Sequence, residues 1–425
     1  MNTLIKNAMA VLPGGKVEQA DISIEGNIIK AVGDIPEDAV HERIIDGSGK
    51  LAVPGFVNAH THAAMTLLRS YADDMALMDW LQNKIWPVEE KMTDDDLYWG
   101  TMLAAVEMIR TGTTAFADMY GPDEGIVAKA AIESGLRAVL SKGIIAVAPG
   151  ADQKLEDNVC LYKTYHGAEN GRITVMLGPH ALYTCPPDFL RKVADKAALL
   201  GAEIHIHMSE TQGEVEDCLK NYGKRPFAHV ESTGLFEHGT LAAHCVHLDD
   251  EDIEIIKRHK IRVAHNPGSN LKLASGMAPV QRLLEEGVCV GLGTDGASSN
   301  NNLDMLEEIR LAALLSKVES KNPKAVPASR AIQMGTELGA RAVGLGDTGR
   351  LAPGCKADIS LFSMDGAEWH PCHNPLSLLV YSAGSGSADT VLVDGRVLME
   401  KKQLCTIDEE KVYFEVERCA KRLGI

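Results

Sequence analysis

The stretch Pro54-Gly55-Phe56-Val57-Asn58-Ala59-His60-Thr61-His62-Ala63 carries an apolar run, Leu51 to Val57, into two histidines. With its Gly and Pro punctuation the run reads as a buried strand. Side chains two apart on a strand share a face. His60 and His62 therefore leave the strand end together, where two imidazoles can grip one metal ion. Two histidines simply exposed at a strand end are the plainer alternative, and the rest of the chain has to decide between them.

Short β-rich runs recur downstream, each followed by a helical pattern: Thr113–Met119, Arg137–Gly143, Ile173–Gly178, Glu203–His207, Leu241–Val246, Ile261–His265 and Val288–Gly293. With Leu51–Ala59 these make eight strand–helix units over roughly 290 residues. That predicts an α/β fold of the (β/α)8, TIM-like barrel class, which takes about 250 residues or more. A doubly wound sheet is the runner-up. Ionisable residues collect where the strands end, at His60, His62, Asp118, Lys142, His180, His207, His244, His265 and Asp295. In such barrels the C-terminal strand ends carry the active site.

The two ends of the chain read differently. Val17 to Ile24 and Ile28 to Val32 flank the hairpin-like turn Glu25-Gly26-Asn27, and Ile44 and Ile45 precede Asp46-Gly47. Near the other end, Ile359 to Phe362, Thr390 to Val393 and Val397 to Met399 repeat the pattern around Asp394-Gly395. One small β-sandwich domain built from both termini follows as the expectation, with residues 1–53 and 347–425 enclosing a 54–346 barrel and Asp408 to Leu423 as a closing helix.

Composition narrows the function classes. Over 425 residues, 45% hydrophobic and 24% charged content is that of an ordinary soluble globular chain. The formal net charge of −17 argues against a nucleic-acid partner, which needs clustered Lys and Arg. No run approaches the roughly 18 apolar residues of a membrane span. The opening residues have no long apolar core of a signal peptide. Nine cysteines at irregular spacings, with no Cys-x-x-Cys, point to a reduced, cytoplasmic protein.

A catalytic zinc takes about three protein ligands and keeps one position open. Candidates are His60, His62, a histidine of Glu203-Ile-His-Ile-His-Met-Ser-Glu210, and Asp295 in Gly291-Leu-Gly-Thr-Asp-Gly296. Of His205 and His207, which share a face, His207 lies at the strand end, and His205 reads as a hydrogen-bonded interior residue. Asp295 taken alone reads equally as a turn aspartate.

Five motifs in order now carry a resemblance: Pro-Gly-Phe-Val-Asn-x-His-x-His at 54–62, His-x-x-Glu at 207–210, His-Cys-Val-His at 244–247, His-Asn-Pro-x-Ser-Asn at 265–270 and Gly-Thr-Asp-Gly at 293–296. Together with the tail Gly349-Arg-Leu-Ala-Pro-Gly-Cys-Lys-Ala-Asp358, the chain resembles the amidohydrolase superfamily over nearly its whole length, and within it the 5′-methylthioadenosine/S-adenosylhomocysteine deaminases. The resemblance implies His60, His62, His207 and Asp295 as ligands of one divalent metal, zinc by default, with iron or manganese suited to the same N/O donors. Dinuclear relatives carry a bridging lysine on the fourth strand. Thr174-Val-Met-Leu-Gly-Pro-His180 has none, which supports a mononuclear site.

The implied reaction replaces the amine at adenine C6 by water, releasing ammonia. A bound metal lowers the pKa of its water to about 7, and Asp295 can take the proton. Glu210 gives a proton to ring N1 and then helps the amine leave. His244 stands beside the attacked carbon, and His247 reads as a loop residue. Glu89, in Asp79-Trp-Leu-Gln-Asn-Lys-Ile-Trp-Pro-Val-Glu-Glu90, matches the family's acceptor for the ribose hydroxyls, on a helix-like stretch broken at Pro87. His180 matches its nucleoside-contacting histidine. Trp80 and Ser299 are further candidates for the pocket. A homo-oligomer, dimer or tetramer, is part of the implication.

The chain departs from the family at Lys142 and Lys154, where the resemblance implies two arginines that hold the homocysteine carboxylate, one of them reaching from a neighbouring subunit. Lysine cannot form arginine's two-pronged bond to a carboxylate, so S-adenosylhomocysteine is expected to be a weaker substrate than a neutral 5′-substituted adenosine. Two other readings stand beside this one. A guanine-type, 8-oxoguanine-type or triazine deaminase or chlorohydrolase shares the metal class, but Glu89 and His180 favour a nucleoside. A metal-binding barrel without chemistry has no need of Glu210 and His244. The cytidine-deaminase signature is absent.

Overall fold

Both ends of the chain feed one sheet. In the computed structural model, which describes residues 2–36, 39–121 and 123–425, Lys50–Pro54 pairs antiparallel with Ile359–Ser363 and parallel with Asn2–Val11. The sheet continues through Val17–Glu25 and Ile28–Gly33 on one side and through Ala388–Val393, Arg396–Glu400 and Gln403–Leu404 on the other. Arg43–Asp46 pairs with Asn2–Val11 off this path. Ile5, Ile22 and Ile24 from one end bury in the same cluster as Ile359, Leu361 and Leu392 from the other. The turn between Ala388–Val393 and Arg396–Glu400 is Asp394-Gly395, with φ of 49° and 71°. Two successive positive values are what a tight two-residue hairpin needs.

The opening apolar run is two strands rather than one. Lys50–Pro54 lies in the terminal sheet, and Phe56–Thr61 is the first central strand. The break falls at Gly55, where a Cβ would lie 2.1 Å from Thr114 Cγ2. Only glycine lets the chain change sheets against the second central strand at that distance.

The central strands are Phe56–Thr61, Thr113–Tyr120, Arg137–Ile144, the interrupted pair Ile173–Val175 and Gly178–Pro179, then Ile204–Met208, Thr240–His244, Arg262–His265 and Val290–Leu292. They fall close to the expected segments and are parallel, in two sheets split between the fourth and fifth. Bridges Leu177–Ile204 and Ala181–His207 connect the sheets at one edge. At the other, Asp295 N–H donates to the His60 carbonyl at 2.9 Å. Asn58 ties the same edge, accepting from Thr294 N–H at 3.0 Å. The fourth strand is broken where Asn158 donates to the Met176 carbonyl (3.1 Å) and accepts from Gly178 N–H (2.9 Å).

Val57, Ala115, Val139, Met176, Leu241 and Ala264, from the first, second, third, fourth, sixth and seventh central strands, bury together. The helix Asp94–Arg110 follows the first strand, and the closing helix Glu409–Leu423 packs on it through the Arg110–Glu409 and Arg422–Asp96 ion pairs. The terminal sheet is anchored at the start of the third central strand. Buried Arg137 donates there to Asp358 (2.7 and 3.0 Å) and to Asp394 (2.6 Å). Among the described residues no helix is long and apolar enough to cross a membrane.

Candidate metal and catalytic site

Three histidines converge through one shared device. His62 Nδ1 donates to the Met119 carbonyl, and His207 Nδ1 donates to the His180 carbonyl at 2.7 Å. His60 Nδ1 lies 2.8 Å from His205 Nε2. Each ring is thereby tied at Nδ1 by a neighbouring element, and each presents Nε2 to a common point. Ligand atoms of His60, His62 and His207 lie within 4.8 Å of one another, as do those of His60, His244 and Asp295. His60 Nε2 is buried with no hydrogen-bond partner. An unpaired buried nitrogen costs free energy, and a cation at the convergence point relieves it. Rings held at Nδ1 and aimed with Nε2 are the usual state of metal-binding histidines.

Asp295 completes the donor set. Its Oδ1 stands 3.1 Å from His62 Nε2 and 3.5 Å from His60 Nε2, and Oδ2 accepts from the Ser269 hydroxyl at 2.6 Å. Burial works against its charge, but the facing histidines hold the carboxyl well below its usual range. The residue has a φ of 61°. The preceding strand end can enter this space because position 293 is glycine. A Cβ there would meet the backbone N and O of His60 at 2.7 Å.

Glu210 and His244 face each other beside this centre, with Oε2 to Nε2 at 3.8 Å. His244 donates from Nδ1 to Asn270 Oδ1 at 2.8 Å, which leaves Nε2 turned to Glu210. Burial pushes the Glu210 carboxyl up, and His244 opposes the shift. A carboxyl raised towards neutrality in a closed site can both give and take a proton. His247 is a loop residue as expected. It touches the Ser275 carbonyl at 2.7 Å, and the Ser275 hydroxyl reaches Glu210 at 3.5 Å.

One cavity opens onto these groups. His62, His180, His207, Glu210, His244 and Asp295 form its polar end, and Trp80, Glu89 and Ser299 also line it. The segment carrying Trp80 and Glu89 is not broken at Pro87. Residues 81–85 widen to a π turn, with Trp86 N–H bonding the Leu81 carbonyl, and Trp86–Glu89 stays helical. The wider turn accommodates the ring of Pro87, which would otherwise crowd the carbonyl one ordinary turn back. Burial raises the Glu89 carboxyl, and a hydrogen bond with Tyr120 works the other way.

Lys142 and Lys154 are not in this cavity's wall. Lys142 donates to the Gly121 carbonyl at 2.9 Å and lines a separate cleft with Asp123, Glu124 and Asp157. Lys154 lies on the helix Ala151–Tyr165. Among the described residues no lysine or arginine lines the cavity. Within one chain, then, neither side chain lines the cavity that holds the histidines.

Several further residues support the site. Asn58, inside the opening motif, joins the first and last central strands. His205 is the hydrogen-bonded interior residue expected, and its partner is His60. Glu214, which burial raises to about 7, accepts from the backbone of Glu210 at 2.8 Å. Met119, Tyr120, Ile145 and Tyr183 add to the cavity wall.

The chain is similar to known proteins over nearly its whole length. Residues 51–398 match the profile of the Amidohydrolase family. The chain is 51% identical over 428 residues to a 5-methylthioadenosine/S-adenosylhomocysteine deaminase of Pelotomaculum thermopropionicum, covering 99% of each. The crystal structure of an adenosine deaminase from Xanthomonas campestris with bound zinc matches at a TM-score of 0.94 and 32% identity, over 99% of this chain and 98% of that one. Atrazine chlorohydrolase from Arthrobacter aurescens, complexed with zinc, matches at 0.92 and 26% identity, over 98% and 100%.

Proposed function

This chain belongs to the amidohydrolase family, and from that premise we infer that it hydrolytically deaminates 5′-methylthioadenosine and S-adenosylhomocysteine to the inosine analogues and ammonia. It is a hydrolase acting on the C–N bond of a cyclic amidine. The observation that carries this reading is 51% identity to a deaminase of that name over 99% of both chains. The triazine chlorohydrolase alternative rests on 26%.

The eight central strands are read as one (β/α)8 barrel over residues 54–346, with 1–53 and the strands of 347–425 as a β-sandwich. The hydrogen bonds at both sheet edges support closure, as does the contact between His60 on the first strand and His205 on the fifth. The closing helix packs against the barrel.

His60, His62, His207 and Asp295 would hold one divalent metal. Three imidazoles and a carboxylate suit zinc, and the zinc in the Xanthomonas enzyme supports that choice. When bound, the cation supplies a Lewis acid that makes water a nucleophile near neutral pH. The chain's own groups do the rest. Asp295 accepts the proton from the attacking water, and His244 orients that water beside C6. Glu210 donates to ring N1, recovers a proton from the C6 hydroxyl of the adduct and passes it to the departing amine, and the proton held on Asp295 then restores Glu210. Glu89 accepts from the ribose hydroxyls, His180 contacts the nucleoside, and Trp80 and Ser299 shape the wall.

Ammonia release from 5′-methylthioadenosine, S-adenosylhomocysteine, adenosine, guanine and a triazine, with metal content measured, tests the reading. Turnover of the adenosines is expected. Turnover confined to guanine or the triazine overturns it. Glu210→Gln should keep the metal and lose about 10²–10⁴ in turnover.

A further inference from the structure

We propose that Glu214 is a positioning residue for Glu210, a carboxylate clamp on the peptide link that carries the acid–base side chain. The proposal rests on the role given to Glu210 above. Glu214 lies one turn into the helix Gln212–Tyr222, whose N-cap is Thr211. Thr211-Gln-Gly-Glu214 has the sequence of a capping box, in which the glutamate returns to the N–H of the cap residue itself. Here only half of that box forms. The Thr211 hydroxyl accepts from Glu214 N–H at 3.1 Å. The Glu214 carboxylate reaches further back, taking Ser209 N–H on Oε1 at 3.0 Å and Glu210 N–H on Oε2 at 2.8 Å.

The other side of the same link is also held. The Ser209 carbonyl accepts from Val246 N–H and His247 N–H, each at 3.0 Å. Those amides follow His244 and Cys245, whose φ values are 72° and 50°, and Ser209 itself has a φ of 49°. Three residues with side chains in left-handed conformations are strained and persist only where their surroundings over-determine them. Glu214 grips the N–H side, and the strand end bearing His244 grips the carbonyl side. The link before Glu210 is thus held on both sides, where the paired strands bearing Glu210 and His244 end.

The chemistry of the clamp is specific. A carboxylate offers two acceptor oxygens to two parallel amides, and these two N–H groups favour its charged form against the burial that raises it. Glutamine has one acceptor oxygen and turns an NH2 against the second amide. Glu210 would stay in the site but would no longer be held in its reacting direction, and small misplacements of this kind cost rate. Glu214 does not line the cavity and its carboxylate bonds only the Ser209 and Glu210 amides, so affinity should change little.

The test compares Glu214→Gln, Thr211→Ala and Glu210→Gln in the metal-loaded full chain, reading kcat, KM, bound metal and Tm. Glu214→Gln should lower kcat about tenfold or more with KM within about twofold and metal retained. Thr211→Ala, which removes the cap and leaves the clamp, should lower Tm with kcat within about twofold. Unchanged kcat in Glu214→Gln overturns the clamp, as does loss of metal together with kcat, or an equal kcat loss in Thr211→Ala. Glu214→Asp keeps the charge and shortens the reach. It should show the same kcat-only loss, and it carries the test if the glutamine variant does not fold. Full turnover in Glu210→Gln instead overturns the role of Glu210 on which the proposal rests.

Discussion

Nδ1 of His60 lies 2.8 Å from Nε2 of His205, and that contact sets which nitrogen of His60 faces the metal site. The Ser141 hydroxyl donates to the Asp118 carbonyl at 2.7 Å, so its oxygen accepts from His205 Nδ1, 3.1 Å away. His205 then carries its proton on Nδ1 and accepts at Nε2. His60 must donate from Nδ1, which leaves a lone pair at Nε2. A strand carbonyl thus specifies the tautomer of a proposed metal ligand through two intervening side chains.

Removing the acceptor should weaken the metal site without removing a ligand. His205→Phe keeps the ring shape and should lower metal affinity about 10–100-fold, read by competition with a chromophoric chelator. His205→Gln retains an acceptor and should lose less. A phenylalanine variant that binds metal as tightly as the parent would show that the relay does not tune His60.

How much of this was legible in the sequence depends on the range of each interaction. His60, His62 and His207 were readable because period two is local. The same period separates Ser141, which turns to His205, from Lys142 next to it, which lines the other cleft. Counting every polar residue at a strand end as facing the site therefore counted too many. Asn58 was silent because its partner Thr294 lies 236 positions away. Pro87 signals a helix break in any local reading, yet a π turn absorbs it. Glu89 looks like a solvated helix carboxylate until the fold places it in the cavity wall.

Glu89 supplies the next prediction. If it accepts from the ribose hydroxyls, Glu89→Gln should cost more with substrates that have them. Hydrogen bonds to a charged group contribute about 1.5–3 kcal/mol, so the preference for adenosine over 2′,3′-dideoxyadenosine in kcat/KM should shrink about 10–100-fold. Equal losses on both substrates would place Glu89 outside ribose recognition.

Far from the cavity, buried Arg137 depends on Asp358 and Asp394. Breaking such a pair leaves a buried charge without its partner, at about 3–5 kcal/mol. Asp358→Asn should lower the denaturant midpoint accordingly and leave kcat and bound metal near the parent values. A midpoint shift under about 1 kcal/mol would mean the guanidinium is satisfied by other means.

The 5′ end of the substrate gives the sharpest contrast. A homocysteine tail brings a carboxylate and an ammonium, while a methylthio group brings only a small apolar thioether. Leu77, Leu81, Trp86 and Ile145 line the cavity, and among the described residues no lysine or arginine does. Lys142 Nζ is bonded to the Gly121 carbonyl and faces the cleft with Glu124. Even a lysine brought to the carboxylate would bind it through one point rather than a fork. 5′-Methylthioadenosine should therefore exceed S-adenosylhomocysteine in kcat/KM by about tenfold or more, since each 1.4 kcal/mol of lost pairing is one factor of ten. Lys142→Met should leave that ratio unchanged. A clear preference for S-adenosylhomocysteine, abolished by Lys142→Met or Lys154→Met, would return these lysines to the substrate site.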